Sequence, residues 1–169
     1  MQVIFSPELL SLTIQRLALE LLEREDNPSD IIFIGLQPRG VYVSDRIVAE
    51  IRKLCPGNEI NYGVLDITFY RDDVRNELHA ANKTDIPFSI DNKKVILIDD
   101  VLYTGRTIRA ALDALQDFGR PKKVELCVLV NRRFERELPI TPDHTGKTID
   151  TDISQKVKVD REKGDVILS

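Results

Sequence analysis

At 169 residues and 19.3 kDa the chain suits one domain and is long enough to bury a substantial core. Its 42% hydrophobic and 31% charged residues are ordinary for a soluble globular protein. A net charge of −4 and a pI of about 5.3 argue against a chain-wide nucleic-acid footprint and leave room only for a local basic patch. No apolar run is long enough to span a membrane, so no membrane partner is expected. The segment Met1-Gln2-Val3-Ile4-Phe5 lacks the basic and apolar blocks of a signal peptide, and a cytoplasmic location is expected. Of the two cysteines, Cys127 lies in an apolar run and reads as a buried thiol; neither it nor Cys55 has metal-ligand spacing.

Ser6 and Pro7 form a helix start, a capping hydroxyl followed by a residue with φ already set. Leu10, Ile14, Leu17, Ala18 and Leu21 then recur at helical spacing. Residues 31–36 are a short continuous apolar run, the pattern of a buried parallel strand. Gly35-Leu36-Gln37-Pro38-Arg39-Gly40 makes a tight turn that brackets one arginine. A second helix is predicted over residues 41–54, with Ile47, Val48 and Ile51 inward. Residues 62–70 read as extended. Residues 72–88 are polar, charged and too long for a simple connection.

Residues 95–107 are the most informative stretch. Four apolar residues, Val95 to Ile98, run into adjacent carboxylates, Asp99 and Asp100. A hydroxyl-rich turn with Gly105 follows, and then Ile108, Ala111, Leu112 and Leu115 mark one face of a helix that Gly119 and Pro121 should end. Backbone N–H groups at a helix N-terminus, with the hydroxyls of Thr104 and Thr107, suit a phosphate. The carboxylates would repel that phosphate, so they serve sugar hydroxyls or a divalent metal. The bland alternative is a solvated turn in which one aspartate caps the helix. Residues 124–130 form another apolar strand. Beyond residue 135 the pattern weakens, but Val157 and Val159 alternate with Lys156 and Lys158, and a turn at Lys163-Gly164 leads to residues 166–168, a terminal hairpin.

Strands alternating with helices imply an α/β fold with an open, mainly parallel twisted sheet, helices on both faces, and a small C-terminal cap or hood. One domain over residues 1–169 is expected. Ligands bind such sheets at the carboxyl ends of the strands, so the Arg39 turn and the Asp99-Asp100 turn can face one pocket.

Val-Ile-Leu-Ile-Asp-Asp-Val-Leu-Tyr-Thr-Gly-Arg-Thr at residues 95–107 resembles the 5-phosphoribosyl-1-pyrophosphate (PRPP) motif of the type I phosphoribosyltransferases. Leu65-Asp66-Ile67-Thr68-Phe69-Tyr70-Arg71-Asp72-Asp73 resembles the PyrR-type group, which comprises uracil phosphoribosyltransferases that also regulate pyrimidine operons. The resemblance implies catalytic roles for Asp99, Asp100 and Arg39. It implies a donor site of Pro38, Arg39, Gly40, Asp99, Asp100, Val101, Leu102, Tyr103, Thr104, Gly105, Arg106 and Thr107. It implies a flexible lid at about residues 71–88, with Arg71 and Arg75 as candidates to reach the pyrophosphate. His79 in that stretch reads as solvated. Asn131-Arg132-Arg133-Phe134-Glu135-Arg136-Glu137-Leu138-Pro139-Ile140 and Lys156-Val157 resemble the base-binding segments, with Arg132 and Val157 at the matching positions, and a hood is expected from about residue 132 together with part of the termini. Mg²⁺ is expected to accompany PRPP, contacting Asp99 and Asp100 indirectly. Uracil is the expected acceptor, with a purine or an RNA-sensing regulatory role as alternatives, and a homodimer or higher assembly is implied. The chain departs from the group at Pro38, where Thr is usual. It departs again at Asn131-Arg132-Arg133, where Asp-Arg-Gly is usual. In the first helix, the group's Thr and His positions are Gln15 and Leu19, while Arg16 stays.

Overall fold

In the computed structural model, which describes residues 2–72 and 83–169, the apolar runs become parallel strands and the amphipathic stretches become helices laid over them. In chain order the elements are β1 (Gln2–Phe5), α1 (Pro7–Leu22), β2 (Ile31–Gln37), α2 (Gly40–Leu54), β3 (Asn61–Asp66), β4 (Lys94–Leu102), α3 (Arg106–Leu115), β5 (Lys123–Arg132), β6 (His144–Ile149), β7 (Val157–Asp160) and β8 (Asp165–Leu168). The main sheet has the order β3-β2-β4-β5-β6, and every pairing in it is parallel. A second, antiparallel sheet has the order β1-β8-β7.

Helices cover both faces of the main sheet. On one face α1 and α2 bury Leu10, Ile14, Leu17, Val43, Ile47 and Ile51 against Phe33, Ile96, Ile98 and Cys127, and the small sheet joins the same core through Phe5 and Val166. On the other, α3 buries Ile108, Ala111 and Leu115 against Ile34, Leu97 and Val128. The Ser6 hydroxyl accepts from the Leu9 N–H and caps α1, as the Ser-Pro start predicts. Among the described residues, no helix is long and apolar enough to cross a membrane.

Several elements differ from the sequence reading. The extended stretch expected to residue 70 stops at Asp66, whose carboxylate accepts from the N–H and the hydroxyl of Thr68 (3.0 and 2.6 Å). That local grip turns residues 68–70 into a short 3₁₀ helix. α3 ends at Leu115, before Gly119, because the N–H groups of Gln116, Asp117 and Phe118 bond three residues back and tighten the last turn. Leu112 is 39% exposed, and Ala110 and Ala114 take the inward positions instead. β1 and β6 carry too short or too polar a pattern to be read from the sequence.

At the amino end of β5, buried Glu125 meets Lys123 (2.8 Å), His144 (3.0 Å) and Lys94 (3.2 Å). Burial alone would raise its pKa, but bonds from Lys123, His144 and Lys94 outweigh burial and bring it to about 2. A carboxylate with a lowered folded pKa adds stability above its unfolded value, and that stability is lost as pH falls through the folded value. The window here runs from 4.5 down to about 2. Melting temperatures of Glu125→Gln should therefore lie below wild type at neutral pH and converge on it across this window. Melting curves that stay parallel down to pH 2 would contradict the assignment.

Candidate active site

β4 runs through both aspartates before its turn. The Asp100 N–H donates to Asp99 Oδ1 (2.9 Å), and the Val101 N–H donates to Asp100 Oδ1 (2.8 Å), so each carboxylate is fixed by the next peptide. Asp99 and Asp100 are 5% and 6% exposed. Asp99 lies under the first residue of α2: a Cβ on Gly40 would come within 2.8 Å of Asp99 Oδ1 and of the Ile98 carbonyl oxygen. Burial pushes the Asp99 carboxyl well above the usual carboxylate range, Asp100 adds to the rise, and Arg39 opposes it.

Gly105, at φ 96°, takes the N-cap position of α3 in the left-handed region that disfavours side chains and so offers no capping side chain, while the Arg106 N–H makes a long bond to Thr104 Oγ1 (3.4 Å). The helix N-terminus therefore opens directly onto the turn. On the neighbouring strand, β2 ends at Gln37, the Gln37–Pro38 peptide is cis, and Arg39 leads into α2.

These turns border a cavity of about 440 Å³. Of the residues expected from the sequence, Arg39, Arg71, Val101, Leu102, Tyr103, Thr104, Gly105, Thr107, Arg132 and Val157 line it. Asp99, Asp100, Pro38 and Gly40 are not among its lining residues: Asp99, Asp100 and Gly40 are buried next to lining residues in the sequence, and Pro38 is exposed. Arg106 does not share the cavity: its Nε donates to Glu137 (2.6 Å) and Nη1 to Asp72 (3.1 Å), so the charges on the adjacent loops draw it outward. Arg75 and His79 lie outside the described residues. At the described ends of the expected lid, Thr84 accepts from the Asp66 N–H (2.9 Å) and Asp85 pairs with Val64.

The sequence reading missed Ile108, Lys158 and Ser169, which also line the cavity beside Lys156. The Lys-Val alternation announces β7 but not that the hairpin lies across from the β4 turn. Arg161 ties that hairpin to the arginine turn, donating to the Pro38 carbonyl (3.1 Å).

Within residues 131–140 the position expected at the cavity is Arg132. Only Arg132 reaches it, buried, with its guanidinium 3.7 Å from the centre of the Tyr103 ring and held by Thr151 Oγ1 (2.8 Å) and the Asp152 carbonyl (3.1 Å). Arg136, Glu137, Leu138 and Ile140 instead contact the β4 turn. The N–H groups of Glu137 and Leu138 donate to the Thr104 carbonyl (3.0 and 3.2 Å), and Leu138 and Ile140 pack beside Gly105.

Residues 6–162 match the family model described as "Phosphoribosyl transferase domain". The chain is 50% identical over 149 residues to the bifunctional protein PyrR of Latilactobacillus sakei, covering 85% of this chain and 82% of that protein. It is 41% identical over 167 residues to the bifunctional protein PyrR of Bacillus cereus, covering 96% and 92%. Its fold is similar to a hypoxanthine phosphoribosyltransferase of Trypanosoma cruzi, with a TM-score of 0.74 at 15% identity over 99% of this chain and 95% of that one. A hypoxanthine phosphoribosyltransferase of Staphylococcus aureus gives a TM-score of 0.70 at 20% identity, covering 89% and 78%. With the family model spanning nearly the whole chain and these relatives matching most of it, the chain belongs to the phosphoribosyltransferases, in the group of bifunctional PyrR proteins.

Proposed function

We propose that this chain transfers the 5-phosphoribosyl group of PRPP to uracil in the cytoplasm, giving UMP and pyrophosphate. The observation that carries this reading is the cavity itself. A guanidinium from one strand end and a helix N-terminus from the next border it, and two buried carboxylates lie near the end of the strand that leads into that helix. The turn at residues 103–107 suits the 5′-phosphate, and Asp99 and Asp100 suit the ribose hydroxyls. Arg39 suits the pyrophosphate, which a planar guanidinium binds through paired charge-assisted bonds. The curated relatives' shared name and the match of residues 65–73 support the uracil assignment.

Pyrophosphate leaves the anomeric carbon through a transition state with oxocarbenium character. The chain has two tasks. It holds base and sugar in line, and it stabilises the charge that separates as the leaving group departs. Arg39 and Arg71 meet the negative leaving group, and the carboxylates favour the positive sugar. Among the described residues no group of three or more His, Cys, Asp or Glu is placed to hold a metal ion. Asp99 and Asp100, adjacent carboxylates near the end of β4, are the residues that would meet a Mg²⁺ carried in with the substrate. When bound it neutralises diphosphate charge.

A panel of free bases with PRPP and Mg²⁺, read by pyrophosphate release, tests the reading. Uracil should support turnover and purines should not. Release with hypoxanthine or guanine but not uracil would overturn the acceptor assignment.

The relatives' name as bifunctional favours a second reading, regulation through a pyrimidine-operon leader RNA. The structure bears on it at α1. Arg16, the retained basic residue, donates to the carbonyls of Thr145 (3.2 Å) and Gly146 (2.6 Å) and to Glu20 (2.5 Å). RNA would have to compete for it. A gel shift with the leader at low salt, with and without UMP, tests this second activity separately, because phosphate contacts fall steeply with salt.

A further inference from the structure

Arg136 lies just beyond β5 and does not line the cavity. Its guanidinium nevertheless joins the ends of two neighbouring strands. Nη1 donates to the Tyr103 carbonyl, and Nη2 donates to Asn131 Oδ1 (2.6 Å) and to the Arg132 carbonyl (3.3 Å). Leu102 and Asn131 are register partners of β4 and β5, so this bridge sits where the paired strands give way to the turn.

In a trans peptide the C=O and the following N–H point in opposite directions. The Tyr103 carbonyl is held toward Arg136, so the Thr104 N–H points the other way. The Thr104 carbonyl is held by the N–H groups of Glu137 and Leu138, so the Gly105 N–H also points away from that segment. Thr104 and Gly105 both line the cavity. Two successive N–H groups turned away from the clamp form the start of an anion-binding concavity. The second peptide is gripped by backbone alone, whereas the first depends on one side chain.

We infer that Arg136 is a positioning residue, which orients the Tyr103–Thr104 peptide so that the turn presents its N–H groups to the donor's phosphate. Arg136 makes no contact with the ligand. Its effect passes through Tyr103, whose ring also stacks on Arg132 at 3.7 Å. Asn131 and the Arg132 carbonyl aim the guanidinium, which gives the Asn131 position a role on the donor side of the pocket.

This inference rests on the phosphoribosyl-transfer reading, and its test separates the two. Steady-state kinetics of Arg136→Ala and Arg136→Lys, with PRPP and uracil varied in turn, provide the readout, and melting temperatures report on folding. The KM for PRPP should rise at least about tenfold in Arg136→Ala, the change expected on losing a charge-assisted bond. The kcat and the KM for uracil should change little, and Arg136→Lys, which keeps one donor, should fall between. Should Arg136→Ala fail to fold, the same split is read on Arg136→Lys. An unchanged KM for PRPP overturns the inference, as does a parallel rise of both KM values with a fall in melting temperature. Absence of PRPP-dependent turnover in the wild-type protein overturns the functional reading itself.

Discussion

Asp100→Asn and Arg39→Ala should each lower kcat/KM for PRPP by at least about 100-fold, the scale seen when one preorganised electrostatic group is removed. Neither should lower the melting temperature appreciably. Asn has the shape of Asp, and its amide oxygen can still accept from the Val101 N–H. The charge it removes is one that pushes the Asp99 carboxyl upward, so neutralising it relieves repulsion within a buried pair. Arg39 lines the cavity at the start of α2, where no side-chain cap depends on it. Turnover and melting temperature measured on the same preparations check both halves of this prediction. Wild-type activity in both variants would sink the site assignment.

Gly40→Ala should behave differently, losing stability and activity together. The added methyl would sit 2.8 Å from the Ile98 carbonyl and 2.8 Å from Asp99 Oδ1. One of these atoms is backbone in the middle of the core sheet and the other is fixed by the Asp100 N–H, so neither yields cheaply. The start of α2 must lift away from β4. Overpacking of this kind costs about 1–3 kcal/mol. For a chain of this length each kcal/mol corresponds to roughly 2–4 °C in melting temperature. Because Arg39 immediately precedes Gly40, the same shift moves its guanidinium relative to the Asp99-Asp100 pair. Thermal melts with parallel PRPP titrations test this, and an unchanged melting temperature would show that the α2–β4 approach is looser than the geometry indicates.

The two variant sets separate what was readable in the sequence from what was not. The buried strands β2, β4 and β5 and the helices α1 and α2 announce themselves because burial on both faces demands continuous apolar runs and helical burial demands a periodic stripe. β1 pairs only with β8 from the far end of the chain, and β6 has no fully buried residue along its length, so neither has a local signature. The strand-end residues proposed as the donor site were legible because strand, acidic pair, turn and helix start are contiguous. In the segment at residues 131–140 the sequence points to Arg132, which lines the cavity, but not to the grip that residues 136–138 take on the β4 turn. Its bonds to Tyr103 and Thr104 are tertiary contacts, and nothing in its composition tells a clamp from a binding loop. For the same reason the outward turn of Arg106 toward Asp72 and Glu137 could not be read from a motif in which it simply follows Gly105.

Calorimetric titration of PRPP into the intact chain in the presence of Mg²⁺ tests the central claim most directly, that the turn after β4 is a PRPP donor site. The account predicts saturable binding of one PRPP per chain, greatly weakened in Arg39→Ala. Saturable binding of equal strength in Arg39→Ala, or no saturable binding to the wild-type chain, would contradict it.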